Sequence, residues 1–199
     1  MIAPIEDLVR ALARLPGLGR RSASRAALAL LREPERLLDP LAATLSEARR
    51  EVRCCPVCGA FTVAGEEPCR LCTDPLRDGS TVCVVEEPAD IVTIEASGAY
   101  KGRYHVLGGK LSPAHRQGPE RLRLAQLASR LKDGDFREVL LALSTDMDGD
   151  ATAGYIAEML RGAGVRLTRL AFGLPADSGV SYSDPLTLRR AIIHRVEEV

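Results

Sequence analysis

Four cysteines in this chain are spaced for metal chemistry. Cys55-Pro56-Val57-Cys58 and Cys69-Arg70-Leu71-Cys72 are two C-x2-C knuckles with ten residues between them. Four thiolates at this spacing suit a tetrahedral zinc ion with no open coordination position. Zinc held this way is structural and contributes folding free energy directly. Pro56 and Gly59 suit the tight turn of the first knuckle. Cys54 competes with Cys55 as first ligand, because C-x3-C is also workable. Cys55 is preferred because it makes the knuckles symmetric. The competing reading is a set of reduced core thiols, and Cys83, inside an apolar run, is read that way.

Carboxylates form the second constellation. Glu86 and Asp90 close the run Thr81-Val82-Cys83-Val84-Val85, and Asp146, Asp148 and Asp150 follow Val139–Leu143. If those two runs are neighbouring strands, the acids converge beyond their C-terminal ends, where α/β ligand sites lie. Hard oxygen ligands of this kind suit Mg²⁺. The competing reading is helix capping, with Asp150 as the cap of a helix from Ala151. An EF-hand is rejected, because the twelfth position counted from Asp146 is Ala157.

The third constellation is basic. Leu15-Pro16-Gly17-Leu18-Gly19 is followed by Arg20, Arg21, Ser22 and Arg25. The glycines permit a crowded turn, and free N–H groups at the start of the next helix can hold a phosphate oxygen. Arg21 and Arg25 lie one turn apart and share a face. Such contacts position DNA without reading its sequence. The competing reading is an ordinary helical corner with a solvated arginine face. Residues 1–53 hold ten Arg against seven acids, a local charge of +3 in a chain whose formal net charge is zero. The three histidines, His105, His115 and His194, have no pairing spacing and are assigned to structure or surface, and Arg189-Arg190 with Arg195 is assigned to a solvated helix face.

These groups need elements to hold them. Helices are predicted over residues 5–14, 22–31 and 40–53, and Ile5, Leu8, Val9 and Leu12 form one stripe of the first. After the cysteine knuckle (residues 54–77) the pattern alternates. Strands are predicted at 81–85, 104–107, 139–143 and 165–172, with helices at 90–97, 119–132 and 151–161 between them. That order implies a mostly parallel sheet. A loop and a helix over 185–196 complete the chain. Aromatic residues make up only 4%, so Leu, Val, Ile and Ala must build the core. No stretch is apolar enough to span a membrane, and early charges at Glu6, Asp7 and Arg10 argue against a signal peptide. Paired knuckles without a secretory signal point to a reducing cytoplasm.

Taken together, this order resembles the RecR family of bacterial recombination mediators over essentially the whole chain. The resemblance rests on Leu15–Gly19 with Arg21-Ser22-Ala23, the four knuckle cysteines with Asp74-Pro75, and Val84-Val85-Glu86-Glu87-Pro88 with Asp90. It extends through Tyr104-His105-Val106-Leu107, Leu111-Ser112-Pro113, Gly149 with Ala151-Thr152-Ala153, and Tyr182 with Asp184. The chain departs from the family pattern at Arg21 (usually Lys), Ser144-Thr145 (usually Asn-Pro), Asp148 and Asp150 (usually Glu), the added Asp146, and Asp177-Ser178 (usually Gly-Gly).

The resemblance implies an α+β multidomain protein in four parts. These are a helix-hairpin-helix DNA-binding region (1–53), a four-cysteine zinc finger (54–77), an α/β Toprim domain (78–174) and a C-terminal oligomerisation arm (175–199). It implies a non-enzymatic, homotetrameric, ring-like clamp on single-stranded, double-stranded and gapped DNA. That clamp acts with RecO and RecF to load RecA, in the bacterial cytoplasm at the nucleoid and without a membrane. Gly17, Gly19, Arg20, Arg21 and Arg25 are its expected DNA contacts. Glu86, Asp90, Asp148 and Asp150 are its expected acidic face, for Mg²⁺ or for basic RecO. The rival from another class is a metal-dependent Toprim nuclease, and a third reading is a purely structural zinc adaptor.

Overall fold

The computed structural model describes residues 2–171 and 180–193. The expectations at Phe172, Asp177-Ser178, His194 and Arg195 lie outside the described residues. The chain divides into two compact units, residues 1–53 and 54–199.

The first unit is helical. Helix α1 spans Ala3–Leu12, α2 spans Arg20–Arg32 and α3 spans Asp39–Glu51, with a wide π-type turn at Pro34–Leu38 leading into α3. Its small core is Val9 of α1 against Ala23 and Ala27 of α2, flanked by Ile5, Leu8 and Leu12. The two alanines let the helices approach closely, and the apolar stripe of α1 supplies the other wall. Helix α3 buries no residue, and Leu41 and Leu45 on it are exposed.

The second unit is built on a four-stranded, wholly parallel sheet. Its strands are β3 (Asp78–Val85), β4 (Gly102–Val106), β5 (Glu138–Ala142) and β6 (Arg166–Arg169), in the order β4-β3-β5-β6. Two short strands, β1 (Val52–Cys54) and β2 (Phe61–Val63), and the one-turn helix α4 (Arg70–Thr73) precede it. Thr81 to Val85 of β3 pair in register with Glu138 to Ala142 of β5. Strand β3 is central, so Val82 to Val85 are fully buried and its apolar run does not alternate. Val82 and Val84 face one layer, with Val139, Leu141, Leu127, Ala153 and Ile156. Cys83 and Val85 face the other, with Tyr104, Val106, Ile91 and three of the knuckle cysteines. The cysteine knuckle is therefore part of this unit's core.

The connecting helices are α5 (Pro88–Ser97), α6 (Leu124–Asp133) and α7 (Met147–Met159), and α8 (Pro185–Ile193) follows β6. Three departures from the sequence expectation bear on the site. Residues 119–123 are not helical throughout: a 3₁₀ turn at Pro119–Arg121 gives way to extended Leu122, and α6 begins at Leu124. The break is tertiary in origin, because the Arg123 N–H bonds Leu107 O (2.9 Å) and Arg123 O accepts from His105 Nε2 (2.9 Å). Helix α7 begins four residues before Ala151, and its cap is Asp146, which accepts from Gly149 N (2.8 Å), not Asp150. Strand β6 ends at Arg169, short of the expected 172. Among the described residues, no helix is long and apolar enough to cross a membrane.

Candidate functional site

The sulfurs of Cys55, Cys58, Cys69 and Cys72 lie within 4.8 Å of one another. Two of the separations are 3.4 Å (Cys58–Cys69) and 4.0 Å (Cys55–Cys72). These bracket the roughly 3.8 Å edge of a tetrahedron with metal–sulfur bonds of about 2.3 Å. Each knuckle is closed by backbone bonds, Gly59 N to Cys55 O (2.9 Å) and Cys72 N to Cys69 O (2.8 Å). Cys54 is exposed and outside the cluster, which includes Cys55.

The thiol chemistry also calls for a cation. Burial raises the Cys55 thiol, but backbone N–H groups around its sulfur outweigh that and bring it down to about 7. Contact with Cys72 and burial push Cys58 far up, and burial plus the charge of Cys58 push Cys69 to about 12. Four thiolates cannot ionise together here without a positive charge among them, which a metal ion supplies. The donor set and its geometry thus fit a metal ion.

Two arginines that the sequence reading passed over bind the knuckles to the sheet. Arg123 donates to Pro56 O (2.9 Å), at the first knuckle. Arg103 donates to Leu71 O (3.1 Å) and to Cys72 O, at the second. Beneath them, Arg77 is paired with Glu95, which also accepts from Tyr104 Oη (2.6 Å). Those positions look like ordinary surface charges in sequence, because nothing local marks their carbonyl partners.

Strands β3 and β5 are neighbours, so their acidic ends do meet. Glu86 Oε1 accepts from both Ser144 N and Ser144 Oγ, each at 2.7 Å. Helix α7 packs against the same Ser144 only with glycine at 149: a Cβ there would lie 2.1 Å from Ser144 O. Asp148 is in the first turn of α7. Asp90 turns away into a capping box, where it accepts from Glu87 N (2.8 Å). Asp150 is held by Arg169 (2.6 Å) and by Arg190 of α8 (3.0 Å). Lys110 reaches across from the segment after β4 and bonds Ser144 Oγ (3.0 Å) and Asp146. That pairing, with the Gly149 N–H, lowers the Asp146 carboxyl to about 2. Cationic side chains thus pair with Asp146 and Asp150 at this end of the sheet, whereas Glu86 is held by the N–H and O–H of Ser144. Lys110 and Arg169 have no signal in the sequence, Ser144 appears there only as a departure from the family pattern, and Arg190 pairs with Asp150 where a solvated face is expected.

In the helical unit, Gly17 has φ +78°, a left-handed turn that favours glycine. Gly19 is the cap residue of α2 at φ −69°, which any residue could adopt. Glycine there brings no side-chain cap, and the first turn of α2 carries no acid. Arg20, Arg21 and Arg25 are exposed, and Arg21 and Arg25 lie on the side of α2 away from buried Ala23 and Ala27. The N–H groups at this end thus face solvent beside three positive charges, an arrangement suited to a phosphate.

The two known domains that match the chain fall on these same regions. Residues 5–49 match the model of the RecR helix-hairpin-helix, and residues 80–171 match the Toprim domain. Three curated relatives, each named recombination protein RecR, are similar over nearly their whole length. The one from Moorella thermoacetica is 46% identical over 98% of this chain and 96% of its own. The one from Tropheryma whipplei strain TW08/27 is 45% identical over 94% of each. The one from Streptomyces coelicolor is 46% identical over 94% of this chain and 93% of its own.

Proposed function

Since the chain belongs to the RecR family of recombination proteins, we propose that it is a non-enzymatic DNA-binding mediator of recombinational repair. It closes as a homotetrameric ring on gapped DNA and acts with RecO and RecF to load RecA on the single strand, in the cytoplasm at the nucleoid. Residues 1–53 bind DNA, 54–77 hold structural zinc, 78–174 form the Toprim domain and 175–199 serve assembly. The observation that carries the reading is the N-terminus of α2, uncapped by any side chain and flanked by exposed Arg20, Arg21 and Arg25. Backbone N–H groups there hold one phosphate, and the arginines track its neighbours. Exposed Leu28, Leu31, Leu41 and Leu45 in the same unit support self-association.

Zinc in this reading is bound by Cys55, Cys58, Cys69 and Cys72, and its role is to hold the knuckle on the sheet. The acidic face at Glu86, Asp90, Asp148 and Asp150 serves as the docking surface for basic RecO. Asp150 of this face already takes Arg169 and Arg190, and the adjoining Asp146 takes Lys110, which favours a protein cation over a metal, and docking over a nuclease. The test is gapped-duplex affinity against salt for Arg21→Ala with Arg25→Ala. Removing two phosphate contacts should lower the slope of log affinity on log salt by about two. An unchanged affinity and slope would remove the DNA assignment.

A further inference from the structure

We infer that Lys110 is a built-in counter-ion that excludes divalent cations from the acidic end of the sheet. The strands deliver Glu86 and the 144–150 loop to one place, where carboxylates could share a hard cation. In this chain an ammonium is already in that place. Lys110 Nζ bonds Asp146 directly and reaches Glu86 through Ser144, at 3.0 Å to Ser144 Oγ and 2.7 Å from there to Glu86. Both oxygens of Asp146 are engaged, one by Lys110 and the other by Gly149 N as the cap of α7. Asp150 takes a guanidinium group on each oxygen, from different elements, β6 and α8.

Mg²⁺ demands near-octahedral oxygen ligands at short range and gives up its waters reluctantly. Entering here, it would have to strip Lys110 from Asp146 and then sit beside the displaced charge. A charge of +2 held roughly 4 Å from a charge of +1 loses at least about tenfold in affinity even with water-like screening. The side chain is only partly exposed (27%), so it is held over the site instead of extending into solvent. The three cations make the acidic end a surface for ammonium and guanidinium groups. A partner's lysine or arginine can exchange with Lys110 there without leaving a carboxylate unpaired.

The experiment is a titration of the full-length, zinc-loaded protein with Mn²⁺, read by the electron paramagnetic resonance signal of the free ion. Lys110→Met keeps the aliphatic stem and removes the charge, and Lys110→Gln provides a second neutral variant if the first folds poorly. Both neutral variants should bind one Mn²⁺ at least about tenfold more tightly than the parent. Lys110→Arg should bind like the parent, and adding Glu86→Gln to Lys110→Met should abolish the gain. Equal Mn²⁺ affinity in the parent and the neutral variants would overturn the inference. So would a gain that survives Glu86→Gln, because the new site would then lie elsewhere. No partner protein is present in this titration, so its failure leaves RecO docking to be judged separately, by RecO binding to Glu86→Gln.

Discussion

Two glycines of one helix should respond to the same substitution with opposite sign. Gly149 and Gly154 both lie in α7, five residues apart. A Cβ at Gly149 would meet Ser144 O at 2.1 Å and Ser144 Oγ at 2.6 Å, whereas a Cβ at Gly154 meets nothing within 4 Å. Real contacts of this kind essentially never fall under 3.0 Å. The β5–α7 turn must therefore open by about 0.9 Å, and the atom in the way is backbone. It cannot swing aside, because Ser144 is bonded to Glu86 at two points. Overpacking of this kind costs about 1–3 kcal/mol, and the backbone clash places Gly149→Ala at the upper end. The gain in helix propensity returns about 1 kcal/mol, so the net loss is about 2 kcal/mol. For a chain of this size that is a fall in Tm of about 4–8 °C. Gly154→Ala should gain about 0.5–1 kcal/mol and raise Tm by about 1–4 °C. Thermal unfolding by circular dichroism measures both. If Gly149→Ala matched the parent, or if Gly154→Ala fell as far, the close packing of the turn on α7 would be refuted.

Two further predictions concern the cysteine knuckle and the buried histidine. Cys58→Ser should lose the zinc, measured as metal released per chain, and should loosen the amides of Val106 and its neighbours to hydrogen exchange, since Val106 N bonds Cys58 O at 2.7 Å. Cys54→Ser should retain one zinc per chain. His105 is fully buried, and burial holds it down at about 4 against an ordinary 6.5. Its neutral form is the folded form, so the stability it contributes is complete above about 6.5 and is lost as the pH falls from there toward 4. The loss amounts to up to about 3 kcal/mol. Urea unfolding at pH 7 and pH 4.5 should show that difference, and His105→Gln should reduce it.

The parts of the molecule written in local spacing were readable in the sequence. The two knuckles specify their own turns, so the four cysteines could be paired without knowing the fold. The apolar run at Val82–Val85 announced a strand buried on both faces. The order of strands and helices announced a parallel sheet, and with it the meeting of Glu86 with the aspartate loop. What escaped is what depends on contacts between distant segments. Arg123 interrupts a helix whose periodicity looked continuous, because its backbone is claimed by Leu107 and His105. Asp146 takes the cap expected of Asp150 because α7 can start earlier once Gly149 packs on Ser144. Lys110 is one of only three lysines in the chain, and nothing near it in sequence says that 36 residues later an aspartate awaits it. The resemblance to RecR identified the regions, and the structure shows how the side chains within them are partnered.

What the protein does to DNA separates a mediator from a nuclease. The direct measurement is a gel of labelled gapped duplex with the zinc-loaded protein and Mg²⁺ or Mn²⁺, scored for shift and for cleavage. A mediator gives a salt-sensitive shift with the DNA intact, and Arg21→Ala with Arg25→Ala weakens that shift. Metal-dependent cleavage that disappears in Asp148→Asn would contradict the account and make the protein a nuclease.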